Sequence, residues 1–291
     1  MKKLWIIPLA MLMVATLAYA SINVGQTLDT TKTLITKIAN TMLAISRGDV
    51  SGKSTINKFG NAPDFDKGDG VVTIWDGADD GTAWEKMVYT YSTTADIDSI
   101  SSSEASDNQE MELQGLGATT NLVVQNVTLD GTNRVALGTS LYRVFRAKNI
   151  NGTTNAGHII VYTNEVTTAG VPTASAIRAV VQPQNQQTEM ALYTVPAGKT
   201  AFMMSFYAGT AGASKSSEYI ITMYARKPNG VFQLKHRSAL SDSAGIHFNH
   251  IYKVYPSFTE GTDIEMRVEI PSGTATAGSI SAGFDLILCD N

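Results

Sequence analysis

The residues best suited to chemistry are few and scattered. Asp76-Gly77-Ala78-Asp79-Asp80-Gly81 sets three carboxylates in one turn, and hard divalent cations take oxygen ligands from flexible loops of this kind. The segment lacks the spacing of an EF-hand loop and its closing bidentate Glu, so an ordinary Asx-rich turn explains it as well, and no metal ligand is assigned. His247 and His250 are three positions apart; in a strand that spacing sends the rings to opposite faces, and a closed zinc site would need two more ligands. His158 and His236 fall in no recognisable motif. Gly52-Lys53-Ser54-Thr55 resembles the end of a P-loop, but Arg47 stands where the motif requires its first glycine. Without that glycine-lined nest the lysine has no phosphate cradle to complete.

Nucleophilic hydrolysis has no support either. No G-x-S-x-G elbow is present, and Cys289 sits in a terminal strand pattern with no base nearby in sequence. Paired carboxylates for glycoside cleavage come from separate strands and leave no local signature. Trp75 and Trp84 could flank a sugar-binding loop, although large rings contribute most when buried as core or loop anchors. Arg47-Gly48-Asp49 spells a cell-adhesion tripeptide, yet a glycine just past a helix end is explained by a left-handed cap. Catalytic, cofactor-binding and metal residues are therefore all assigned as none, and no cofactor is expected.

Composition narrows the class of protein. The chain has 291 residues, 22 Lys and Arg against 26 Asp and Glu, a net charge of −4, 43% hydrophobic residues and one cysteine. An intrachain disulfide is excluded. No global basic field draws the chain to a phosphate backbone, so nucleic acid is not expected as a partner. The hydrophobic content is enough for a real core.

These residues must be positioned by elements whose patterns are easier to read. Met1-Lys2-Lys3, an uncharged run from Leu4 to Leu17 and Ala18-Tyr19-Ala20 form the three parts of a signal-like apolar leader over 1–20; a retained apolar helix is the other reading. Leu28, Ile35, Ile38, Met42 and Ile45 share one face of an amphipathic helix over 21–48. The same positions fit heptad a and d sites, as in a short oligomerising stalk. Residues 49–70, with repeated glycine and proline, read as an irregular linker.

Beyond Val71 the period becomes that of strands. Ile264, Met266, Val268 and Ile270 alternate with Asp263, Glu265, Arg267 and Glu269, which predicts a half-buried strand. Tyr219, Ile221, Met223 and Ala225 alternate likewise, and Asn229-Gly230 turns the chain back toward Val231 to His236. A second hairpin is expected at Asp130-Gly131, and a strand with an exposed loop over Ser92 to Ser106. The uncharged stretch Thr167 to Ala176 marks a boundary. The fold class is mainly β: an N-terminal helix followed by two β-sandwich domains, 71–170 and 171–291, the second jelly-roll-like.

Ile45-Ser46-Arg47-Gly48-Asp49-Val50-Ser51-Gly52, Lys58-Phe59-Gly60-Asn61-Ala62-Pro63-Asp64 and Ile74-Trp75-Asp76-Gly77 resemble the opening of uncharacterised virion structural proteins from tailed bacteriophages, many of them marine. Glu110 to Leu116, Val127 to Gly131, Tyr142 to Arg146, Ala191 to Thr200 and Gly283 to Leu288 are similar to the same group, in the same order. The resemblance runs from about residue 44 to the end. It implies a non-enzymatic capsid decoration or head-fibre component located in the virion, forming a homo-oligomer, with a trimer as one candidate, and contacting capsid or other virion proteins. The leader departs from that group, and its cleavage would place the chain in the secreted or periplasmic fraction. A secreted carbohydrate-binding module or adhesin facing a host-surface glycan is the alternative.

Overall fold

The computed structural model describes residues 30, 32–33, 41–65, 68–77, 88–211, 217–242, 247–273 and 278–291. The leader, Leu28, Ile35, Ile38, Asp79, Asp80 and Trp84 lie outside them. The chain divides into two compact units, 1–54 and 55–291. In the first, residues 41–46 are helical and end at Gly48, whose φ is 80°. The Gly48 N–H donates to the Ile45 carbonyl (3.0 Å) and the Asp49 N–H to the Ala44 carbonyl (2.8 Å). This is the Schellman pattern, so the glycine of the adhesion-like tripeptide serves as a C-cap. Arg47 pairs with Asp49 at 3.0 Å.

The second unit is built from antiparallel sheets. Its strands are β1 (Lys53–Phe65), β2 (Val72–Thr73), β3 (Ile97–Ser102), β4 (Glu110–Leu116), β5 (Leu122–Thr128), β6 (Val135–Leu141), β7 (Arg143–Asn149), β8 (Ile159–Thr163) and β9 (Ile177–Val181). After them come β10 (Leu192–Thr194), β11 (Lys199–Ala211), β12 (Ser217–Arg226), β13 (Gln233–Asp242), β14 (His247–Ile251), β15 (Ser257–Phe258), β16 (Asp263–Gly273) and β17 (Gly278–Asp290). One pair of sheets has the orders β1-β17-β11-β14 and β10-β16-β12-β13, with β15 and β2 as short flanking pairs. Counted in chain order, its eight main strands form sheets 1-8-3-6 and 2-7-4-5, the two Greek keys of a jelly roll. The other pair, β6-β3-β8-β9 and β5-β4-β7, makes a smaller sandwich lying in sequence between the first and second strands of the roll.

That arrangement revises the sequence reading in particular places. Residues 49–70 are not an irregular linker, since β1 occupies thirteen of them. Its inward positions are Ile56, Lys58, Gly60 and Ala62, so a lysine and a glycine interrupt the apolar alternation that normally announces a strand. A Cβ on Gly60 would lie 2.3 Å from the Ala191 nitrogen and 2.4 Å from the Ile74 carbonyl oxygen, so backbone packs where a side chain would be. Strand pairing also crosses the expected boundary: β8 before it and β9 after it are neighbours, with Ile159 opposite Val181. The small sandwich thus continues to Val181, and the roll takes β1 from upstream of it.

The Asp130-Gly131 turn is present, with Asn133 N–H donating to the Asp130 carbonyl at 2.9 Å. It does not close a hairpin, because β5 pairs with β4 while β6 pairs with β3. The Asn229-Gly230 turn does, joining the antiparallel β12 and β13. Asn229 has φ 59° and Gly230 N–H donates to Lys227 O at 2.9 Å, which with Pro228 at the second position fits a type II turn. In the Ser92 to Ser106 stretch the expected strand is β3 and the exposed loop is Glu104 to Ser106, with Ser99, Ser101 and Ser102 buried within the strand. The Ser101 hydroxyl donates to the Gly170 carbonyl and the Ser102 hydroxyl to Asp107, both at 2.6 Å, which satisfies groups that burial would otherwise penalise.

Candidate functional site

Most residues singled out for chemistry are part of the scaffold. Asp76 is fully buried, and its carboxylate accepts the Glu189 N–H at 2.6 Å while its carbonyl accepts the Gln182 amide at 2.8 Å. Trp75 is also fully buried, edge-on to Tyr89 with centroids 5.0 Å apart, and so acts as a core anchor. Gly52 has φ 72° and Lys53 opens a strand rather than the helix a phosphate cradle needs. Cys289 lies half-exposed in β17. Among the described residues no group of three or more His, Cys, Asp or Glu is placed to hold a metal ion.

The strand β16 brings together what sequence separates. Its inward row, Ile264, Met266 and Val268, is fully buried, as the alternation predicts. The start of the opposite row is covered as well, for Asp263 and Glu265 are 3% and 0% exposed, while Arg267 and Glu269 are half-buried. Arg143 of β7 donates to Asp263 through Nε at 3.0 Å and Nη2 at 3.2 Å. Arg226 of β12 adds a 2.6 Å contact, and the Thr194 hydroxyl another at 2.6 Å. Glu265 accepts the Tyr91 hydroxyl at 2.9 Å and pairs with Arg267. The guanidinium carbons of Arg143 and Arg226 lie 4.9 and 4.8 Å from the Tyr91 ring centroid.

Charge in this cluster is fixed by its surroundings. Burial works against the Arg143 cation, but the Asp263 hydrogen bonds and charge outweigh it and raise its pKa above the ordinary value. Burial lifts the Glu265 carboxyl above its usual range, against the opposing pull of Arg267 and Tyr91. The carboxylates and guanidinium groups of the cluster are engaged with one another, so it acts as a clamp between sandwich and roll.

A second grouping lies across the roll. His236 of β13 and His250 of β14 have ring centroids 4.5 Å apart, with Phe206 4.7 Å from His236 and Tyr252 4.6 Å from His250. Burial, and then the His250 charge, hold the His236 pKa below its ordinary value. The thirteen residues between the two histidines hide the pairing from sequence; only the approach of strands from different sheets creates it.

The roll also carries an open cleft of about 610 Å3. One wall comes from the β12–β13 hairpin, with Lys227, Val231, Gln233 and Lys235, and the other from Pro256 to Thr259 together with Thr262. The Thr262 residue is 2% exposed and its hydroxyl has no hydrogen-bond partner. Beside the cleft, β13 and β14 are the last strands of their sheets. Leu234, Ile251, Val254 and Tyr255, on or next to these edges, are exposed, Ile251 by 71% and Val254 by 85%.

No family model matches the chain, and no curated protein matches it. Among solved structures, the infectious bursal disease virus Gt strain matches at 11% identity over 82% of this chain and 72% of its own, with a TM-score of 0.22. T=1 particles derived from infectious bursal virus match at 11% identity over 82% and 69%, with a TM-score of 0.23. A Bacillus thuringiensis Cry1Da tryptic core variant matches at 7% identity over 61% and 50%, with a TM-score of 0.19.

Proposed function

We propose that the chain is a non-enzymatic virion structural protein, a capsid decoration or fibre component, that works through protein–protein and surface contacts. The observation that carries this reading is the set of exposed apolar side chains on or beside the free edges of the jelly roll. Leu234, Ile251, Val254 and Tyr255 are exposed on or beside strands with no further neighbour among the described residues. An unpaired edge is a template for another chain, and soluble proteins normally guard it with charge; β13 carries exposed Lys235 and Arg237, whereas β14 has no Lys, Arg, Asp or Glu along its length. Exposed apolar side chains there fit a surface covered in an assembly. The occupant is a second copy of this chain, since closed symmetric assembly is the ordinary outcome for a protein presenting the same patch in every copy. The clamp around Asp263 fits the same role, because it ties sandwich and roll into one body able to transmit a contact made by either.

Peptide mass spectrometry of purified, nuclease-treated virus particles and of particle-free supernatant tests the proposal. The expected result is abundant chain in the particles, and peptides beginning at Met1 or Ser21 report the fate of the leader. Protein confined to the supernatant overturns the virion assignment.

A further inference from the structure

The cleft between the β12–β13 hairpin and residues 256–262 has the chemistry of a binding site rather than of a gap between loops. Its volume of about 610 Å3 lies within the roughly 300–1,000 Å3 of small-molecule sites. Its walls differ in character. Val231, Pro256 and Phe258 offer an apolar surface, while Lys227, Lys235 and Gln233 line it with two ammonium groups and an amide. No carboxylate belongs to this lining among the described residues. Lys235 donates to the Gln233 side-chain carbonyl at 3.0 Å, which fixes the amide and leaves its N–H groups as donors.

Thr262 supplies the independent observation. Its hydroxyl is buried in the lining without a hydrogen-bond partner, and a buried polar atom left unpaired costs about 1–3 kcal/mol. Such an atom at the wall of a cleft fits a position that a water or ligand completes once the lining adjusts. Ser257 and Thr259 also belong to the lining. The framework is preformed: the Lys227–Gly230 turn is closed by a 2.9 Å hydrogen bond, and Thr262 N–H donates to the Thr259 carbonyl at 3.2 Å.

We infer that this cleft binds an acidic saccharide. A pyranose has an apolar C–H face and a hydroxylated edge, which match the two kinds of wall, and a carboxylate or sulfate on the ring matches the positive charge of the two lysines in the lining. The lining shares none of Leu234, Ile251, Val254 and Tyr255, although Gln233 and Lys235 flank Leu234 on β13; the titration below reads sugar binding and not assembly.

Calorimetric titration of the full chain with a glucuronic-acid disaccharide, with maltose and with inorganic sulfate tests this. The acidic disaccharide binds saturably, maltose at least about tenfold more weakly, and added salt weakens the first without affecting the second. Lys227→Ala with Lys235→Ala, both exposed positions, lowers affinity for the acidic sugar at least about tenfold without moving the melting temperature. Thr262→Val lowers affinity while leaving the melting temperature unchanged or higher, because it deletes an unsatisfied hydroxyl; a merely structural hydroxyl would lower it. Equal binding of maltose, sulfate binding as tight as the acidic disaccharide, or affinity unaltered by the double lysine change each overturns the assignment.

Discussion

Lys58 places an ammonium group where there is almost no water. It is 5% exposed on β1 and donates to the Phe145 carbonyl at 2.5 Å. That carbonyl needs a partner because the β4–β7 register slips there, with Gln114 opposite Arg146 and Gly115 opposite Val144, so that Phe145 is the extra residue of a bulge. Burial, with the nearby Arg146 charge, brings the lysine down to about 7 from 10.5. Between those two values the unfolded chain holds a proton that the folded chain has released, so stability rises with pH across this window. Below about 7 the folded state must bury the charge, and the cost is present in full. Above pH 10 the trend reverses, because burial raises the Tyr89 and Tyr91 hydroxyls and only the unfolded chain ionises them there. Lys58→Met removes the rise between pH 7 and 10 in a series of urea melts, while the decline above pH 10 persists. A wild-type curve flat from pH 7 to 10 would sink this account.

Strands differ in how plainly their sequences announce them. β12 and β16 are legible because each repeats large apolar residues at every second position, and the buried row follows directly. What the pattern in β16 does not reveal is that Asp263 and Glu265 at the start of its charged row are buried too, since the guanidinium groups that neutralise Asp263 come from Arg143 and Arg226 on other strands. β1 is hidden for the opposite reason, having Lys58 and Gly60 at inward positions where a strand normally shows Val or Ile. The cleft was only half visible: the Asn229-Gly230 turn predicts the hairpin, but nothing local brings Thr262 opposite Lys235. Gly60→Ala tests the reading of β1. Its Cβ would strike backbone atoms on two segments, Ala191 and Ile74, neither of which can rotate away. The substitution should destabilise the chain by about 3 kcal/mol, the upper range for overpacking, read as a lower urea midpoint at unchanged slope. A loss within the scatter of surface substitutions would mean that β1 can leave its place at little cost.

At the scale of the whole molecule, two separate features could bring copies together, and they predict different outcomes. The heptad-like positions Leu28, Ile35, Ile38, Met42 and Ile45 would associate helices. The edges of the roll would instead associate sheets through Ile251 and Val254, which a monomer leaves in water. With a charge near zero relative to its length, −4 over 291 residues, the chain has little long-range repulsion to oppose either contact. An aspartate at a buried apolar contact leaves an unpaired charge desolvated, a cost of several kcal/mol per interface and enough to dissociate an assembly held at micromolar strength or weaker. Light scattering on purified protein then separates the routes. Ile251→Asp combined with Val254→Asp should reduce the mass to that of one chain, because both side chains are solvent-exposed in the isolated chain and their change leaves its core intact. Ile38→Asp should leave the mass unchanged if the edges carry the contact. The reverse result, with loss of assembly only in Ile38→Asp, would assign association to the helix and leave the apolar edges of the roll free for another virion protein.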